Sequence, residues 1–86
     1  MNLRDLLKAG LLQPGEELVW NRRTIKTTHS AIVGSDGTLT TADGKSHKTP
    51  SGAAKHLNGN KPVDGWLAWK SKKQGKSLSE LRSIIL

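Results

Sequence analysis

Cysteine, phenylalanine and tyrosine are all missing from this chain of 86 residues, and each absence closes off a class of solutions. Without cysteine there is no disulfide to staple a small fold, no thiolate to hold zinc and no thiol nucleophile. Without phenylalanine or tyrosine, the tryptophans Trp20, Trp66 and Trp69 are the entire aromatic complement. Long apolar runs are also missing: the longest span a few residues, far below the roughly 20 that cross a bilayer, and the N-terminus has no secretory apolar stretch. The expected setting is cytoplasmic, with no membrane partner. Acidic residues are few, seven Asp plus Glu against 14 Lys plus Arg, which gives a formal charge of +7. That balance raises encounter rates with polyanions, although it also suits acidic proteins and simple solubility.

At this length one domain is expected, and folding buries only about 60% of the unfolded chain's surface. The core must therefore be small. No Gly-x-Ser-x-Gly elbow, phosphate loop or dinucleotide fingerprint occurs, and His29, His47 and His56 lack the spacing of a zinc-binding helix. No cofactor, metal or catalytic residue is expected. Asp36, Asp43 and Asp64 each stand beside a glycine or in a turn signature, so their cheapest reading is structural.

Local chemistry marks the elements. Asn2 and Asp5 frame a capping box for a helix from Leu3 to Ala9, which Gly10 ends. Pro14-Gly15 fits a type II turn, because proline presets the first central position and glycine tolerates the left-handed second. A strand follows from Glu17 to Trp20, with Asn21, Arg22 and Arg23 as a turn or an extension. Ile25, Thr27, His29, Ala31 and Val33 then alternate with Lys26, Thr28, Ser30 and Ile32 on the two faces of a second strand. Gly34 to Gly37 is a hairpin turn in which Asp-Gly supplies positive φ, and Asp43-Gly44 repeats the device between strands at Thr38 to Thr41 and Lys45 to Lys48. Thr49-Pro50 opens a helix whose small inner face is Ala53, Ala54 and Leu57. Trp66 to Lys70 reads as a further strand after a glycine. Ser77 to Glu80 is a second capping box, opening a terminal helix with Leu81, Ile84, Ile85 and Leu86. The predicted class is α+β: a small antiparallel sheet or meander packed with short N-terminal, central and C-terminal helices.

Asp64 to Lys73 places two of the three tryptophans directly before Lys70, Lys72 and Lys73, with Lys76 following. An indole is a core body or a stacking surface, and lysines match phosphates. Trp20 and Trp66 read as scaffold with Leu6, Leu57 and Leu81. Trp69 stays open between core and base contact. The amides of Ser51 and Gly52, behind Thr49-Pro50, offer a second phosphate-binding feature. Arg22, Arg23 and Lys26 form a smaller basic cluster, and His47 can contact phosphate or base or lie on the surface without specific chemistry.

The order of these motifs resembles the RAMA family, the restriction enzyme and adenine methylase associated domain, over nearly the whole chain. Asn2 to Leu18 resembles its helix and Pro-Gly entrance, and Ala31 to Leu39 its strand signal. Thr49-Pro50-Ser51-Gly52-Ala53-Ala54 resembles its helix start, Gly65-Trp66-Leu67-Ala68-Trp69 its tryptophan motif, and Gly75 to Arg82 its closing pattern. The resemblance implies a module attached to restriction endonucleases and adenine methyltransferases, associated with DNA binding and, in some members, with recognition of modified adenine. By position, Ser51, Trp66 and Trp69 are its candidates for a functional or pocket-supporting surface. Two positions depart: His47 replaces an aromatic common before the Pro-Ser motif, and Asp64 replaces the Asn often found before Gly-Trp.

Taken together, the sequence predicts a single RAMA-like domain over residues 1–86, a fragment or module of a larger protein. Its expected role is non-catalytic DNA binding, with duplex DNA carrying a modified base as the candidate ligand and an effector domain of the parent protein as partner. The DNA-facing set is Arg22, Arg23, His47, Thr49, Ser51, Trp69, Lys70, Lys72, Lys73 and Lys76. The alternative is a protein-interaction or structural module, and a nuclease would need converging carboxylates that this spacing does not suggest.

Overall fold

The computed structural model describes residues 2–85. In chain order it has α1 (Leu3–Lys8), β1 (Glu17–Arg22), a single 3-10 turn (Arg23–Ile25), β2 (Thr27–Val33), β3 (Leu39–Thr41), β4 (Ser46–His47), α2 (Pro50–Leu57), α3 (Gly65–Ala68), β5 (Lys70–Ser71) and α4 (Leu78–Ile85). The strands form one antiparallel sheet in the order β4-β3-β2-β1-β5. This is the expected α+β class. The meander accounts for four strands, and β5 returns to the far edge beside β1.

The termini of the helices follow the local chemistry. Asn2 accepts the Arg4 amide at 2.9 Å while Asp5 takes the Asn2 amide, so α1 opens in a complete capping box. Ser77 and Glu80 do the same for α4, at 3.1 and 3.2 Å. Leu86, expected in this helix, lies outside the described residues. Gly15 carries a φ of +86° in the Pro14-Gly15 turn, and its amide bonds the Val33 carbonyl at 2.7 Å, which starts the β1–β2 pairing. In both hairpin turns only the glycine is left-handed: Gly37 and Gly44 each have φ +86°, while Asp36 and Asp43 keep negative φ and use their carboxylates to bind Thr38 and Thr41. The aspartates therefore act as Asx-type braces, not as αL residues.

Two strand predictions need correction. Ile25 does not join the inner face of β2; it sits in the 3-10 turn, exposed, and β2 begins at Thr27. The predicted strand from Trp66 to Lys70 is instead the four-residue helix α3 followed by the two-residue β5. Asp64 drives this outcome: its carboxylate accepts the Trp66 amide at 3.0 Å, an N-cap that commits the next turn to helix.

The sheet has one dry face and one open face. Leu18, Ala31, Val33 and Leu39 point inward and join Leu3, Leu6, Leu12, Ala53, Trp69, Leu78 and Leu81 in the core. Trp20, Leu57 and Trp66 are half-buried and pack against that cluster, so the five expected scaffold residues, with Leu6 and Leu81, belong to one core. The opposite face, read from the registers, is formed by Glu17, Val19, Asn21, Thr28, Ser30, Ile32, Thr40, Ser46 and Lys70. It is short, hydroxyl-rich and largely accessible.

Candidate nucleic-acid interface

The two stretches that carry the sequence motifs, Thr49 to Ala54 and Gly65 to Trp69, lock into each other. The Gly65 amide donates to Ser51 Oγ at 3.0 Å, and the Trp69 indole Nε1 donates to the Pro50 carbonyl at 3.1 Å. A Cβ on Gly65 would lie 2.1 Å from the Pro50 carbonyl carbon and 2.3 Å from both its oxygen and the Ser51 nitrogen. Only a residue without a side chain lets the start of α3 lie across the start of α2 this closely.

That contact gives several residues of the predicted DNA surface partners within the protein. Trp69 is fully buried, at 0% exposure, with its one polar atom paired inside the protein, so it offers no face to a base. Thr49 caps α2 by accepting the Gly52 amide at 2.9 Å, and the Ser51 amide has Gly65 packed against it. Of the two amides expected free at the start of α2, that of Gly52 is bonded to Thr49 and that of Ser51 is crowded by Gly65. Arg22 is also committed: it is half-buried, donates to Asn58 Oδ1 at 2.7 Å and to the Leu57 carbonyl at 3.5 Å, and lies 4.8 Å from the Trp20 ring centre. A guanidinium placed there satisfies the C-terminus of α2 and complements its dipole.

The other two indoles are half-buried. Trp20 meets Trp69 edge-on at 6.0 Å and His29 at 5.4 Å, besides Arg22. Trp66 packs on the core and carries the Arg82 guanidinium 4.7 Å from its ring centre. His47 is half-buried, 3.4 Å from Thr41 Oγ1 and 4.9 Å ring to ring from His56, whose Nε2 bonds Asp43 at 2.6 Å. The bonds from His56 and Thr41 hold the Asp43 carboxyl far below the usual carboxylate range. Burial and neighbouring His56 lower His47, while burial and Arg22 lower His29, whose Nε2 is enclosed without a partner.

The remaining basic residues collect at the other edge. Lys70 opens β5, and Lys72, Lys73 and Lys76 are exposed on the connection to α4, which folds back as a hairpin: the Ser71 amide bonds the Lys76 carbonyl at 2.9 Å, the Gly75 amide bonds the Ser71 carbonyl at 2.8 Å, and Lys70 bridges Ser77. Glu16 fixes this hairpin from beneath. Its carboxylate accepts from Ser71 Oγ and, at 3.0 Å, from Gln74 Nε2 and the Gln13 amide. Burial alone would push the Glu16 carboxyl up, but those hydrogen bonds, with Lys73 nearby, outweigh it and leave it below its ordinary value. Lys72 reaches Glu17 at 3.8 Å; Lys70, Lys73 and Lys76 form no ion pair among the described residues.

Beside the hairpin lies a groove of about 470 Å³ lined by Val19, Trp20, Asn21, Arg23, Leu67, Ala68 and Lys70. Arg23 and Lys70 are its two cations, and no carboxylate lines it. Of the ten predicted contacts, the structure therefore brings Arg23 and Lys70 to one groove and sets Lys72, Lys73 and Lys76 on the adjoining hairpin. It leaves Arg22, His47, Thr49, Ser51 and Trp69 in other, internal roles. Leu67, Val19 and Asn21 were missed. Reading Asp64 as a helix cap would have turned Leu67 away from Trp69 and exposed it.

Among the described residues no helix is long and apolar enough to cross a membrane, and no cluster of three or more histidines or carboxylates is set to hold a metal ion. A family model described as Restriction Enzyme Adenine Methylase Associated, RAMA, matches residues 1–86. Among curated proteins, none gives a significant match.

Proposed function

The chain belongs to the RAMA family, and from that premise we propose that it is a non-catalytic DNA-binding module that brings duplex DNA to the effector domain of a restriction or modification protein. The observation that carries this reading is the lysine hairpin. Lys73 and Lys76, without an ion pair among the described residues, stand on a braced loop at the edge of an open sheet face, next to a groove bearing Arg23 and Lys70. Lysines so placed neutralise phosphates without reading sequence. The hydroxyl and amide side chains of Asn21, Thr28, Ser30 and Thr40 add donors and acceptors on the same face, and its single carboxylate, Glu17, is matched by Lys72.

Within this reading the base modification to test is a methylated adenine, since the family name ties the domain to adenine methylases. The groove is where such a base or its edge would be met, because it joins two cations to Asn21 and to apolar surface that includes Trp20. The test is a titration against one duplex in unmodified, adenine-methylated and cytosine-modified forms over a range of salt. Affinity falls linearly on a log-log salt plot, by about 0.9 per phosphate contact. Absence of binding to all three duplexes at low salt overturns the proposal. A second reading, docking to a protein partner, draws on Ile84 and Ile85, which are exposed at the end of α4.

A further inference from the structure

Leu67 is 63% exposed on a helix whose flanking residues, Gly65 and Trp69, are buried. Its backbone is held on both sides: Asp64 caps the Trp66 amide, Ser51 takes the Gly65 amide, and the Trp69 indole is tied to Pro50. A leucine presented on so firmly held a turn is poised to enter something, not left over from an imperfect core. What surrounds it defines the something. Arg23 and Lys70 line the same groove, Asn21 supplies an amide, and no carboxylate is present. The apolar part, Leu67 with Val19, Trp20 and Ala68, is interrupted by these polar groups, unlike the broad apolar centre of a protein interface.

We propose that Leu67 is a wedge that enters the minor groove of duplex DNA at a base step, with Arg23 and Lys70 on the flanking phosphates, and bends the duplex. The inference rests on the DNA-binding reading above and specifies how the same site engages its partner. An apolar side chain pushed between base pairs unstacks them and kinks the duplex towards the major groove, at a cost that the added cation–phosphate contacts offset. Leu67 is the side chain best placed to insert, since Trp69 is buried and the half-buried Trp20 and Trp66 carry Arg22 and Arg82 against their rings. Asn21 is placed to bond the groove edge of a base beside the opened step.

The prediction follows from the elasticity of DNA: a duplex with an already opened step binds more tightly than an intact one. The experiment uses the full chain and a short duplex labelled at both ends for energy transfer, intact or with a central two-nucleotide bulge. The native protein should raise energy transfer in the intact duplex and bind the bulged duplex about tenfold more tightly. Leu67→Ser should keep the thermal stability and lose both the bending and the bulge preference, with a salt slope no steeper than native. Leu67→Met should retain both. If the native protein binds with a phosphate-type salt slope but leaves the duplex straight, or if Leu67→Ser bends it as well as native, the wedge is refuted and the DNA-binding reading survives. If neither duplex binds at any salt, both fall, and the Leu67 patch belongs to a protein partner.

Discussion

The junction between α2 and α3 and the hairpin after β5 carry the same sequence stretch into opposite fates. At the junction, Ser51 Oγ takes the Gly65 amide, the Pro50 carbonyl takes the Trp69 indole, and Pro50, Gly65 and Trp69 are buried. At the hairpin, a few residues on, Lys70, Lys73 and Lys76 form no ion pair among the described residues. Most of the residues that make the family recognisable hold the frame, whereas Lys70, Lys72 and Lys73, free to act on a partner, lie just outside the motifs. Recognisability and availability are separate properties here, because a motif fixes backbone geometry while a phosphate asks only for a nearby positive charge.

The comparison breaks first at Trp69. Trp69→Ala should cost about 3 to 5 kcal/mol of stability, read by denaturant unfolding, because it empties a fully buried site and orphans the Pro50 carbonyl. Gly65→Ala should follow at about 3 kcal/mol, the upper end for overpacking, since the obstructing atoms are backbone and cannot rotate away. Near-native stability in either variant would mean that the junction is not the keystone described.

Replacing Lys70, Lys73 and Lys76 together by Gln should leave stability within about 0.5 kcal/mol. DNA affinity should fall on every sequence, and the log-log salt slope should shrink by about 2.7, three contacts at about 0.9 each. An unchanged slope would return these lysines to a solubility role. The smallest effect concerns acid. His29 has its folded-state pKa held below 6.5 by burial and by Arg22, so the unfolded chain takes up the proton first. Stability is complete above about 6.5 and declines as pH falls below it, with His47 adding in the same direction. Unfolding midpoints at pH 7.5 and 5.5 measure the decline, and His29→Asn should reduce it.

What was legible in the sequence was local. Asn2, Asp5, Ser77 and Glu80 bond amides within three residues of themselves, so their capping boxes could be read directly. The glycine turns and the alternation from His29 to Val33 were equally plain, since each depends on neighbours alone. The misreadings involve distance along the chain. Gly65 looked like the entrance to a strand, because the Pro50-Ser51 peptide that demands a glycine lies 14 or more residues away. Arg22 looked like a free cation until the fold brought Asn58 to it, 36 residues on. Charge density near Lys70 was visible, but its position beside the open face required β5 to cross to the far side of β1.

The outermost strands, Ser46–His47 and Lys70–Ser71, are each only two residues long. Another chain approaching either flank finds two residues' worth of backbone to pair with, and at one flank it meets mutually repelling ammonium groups as well. A sheet so terminated resists growth by strand addition. The same lysines that would attract a nucleic acid therefore also discourage a second copy of the chain from adding its own strand there, so a variant stripped of them should be watched for aggregation before any loss of binding is interpreted.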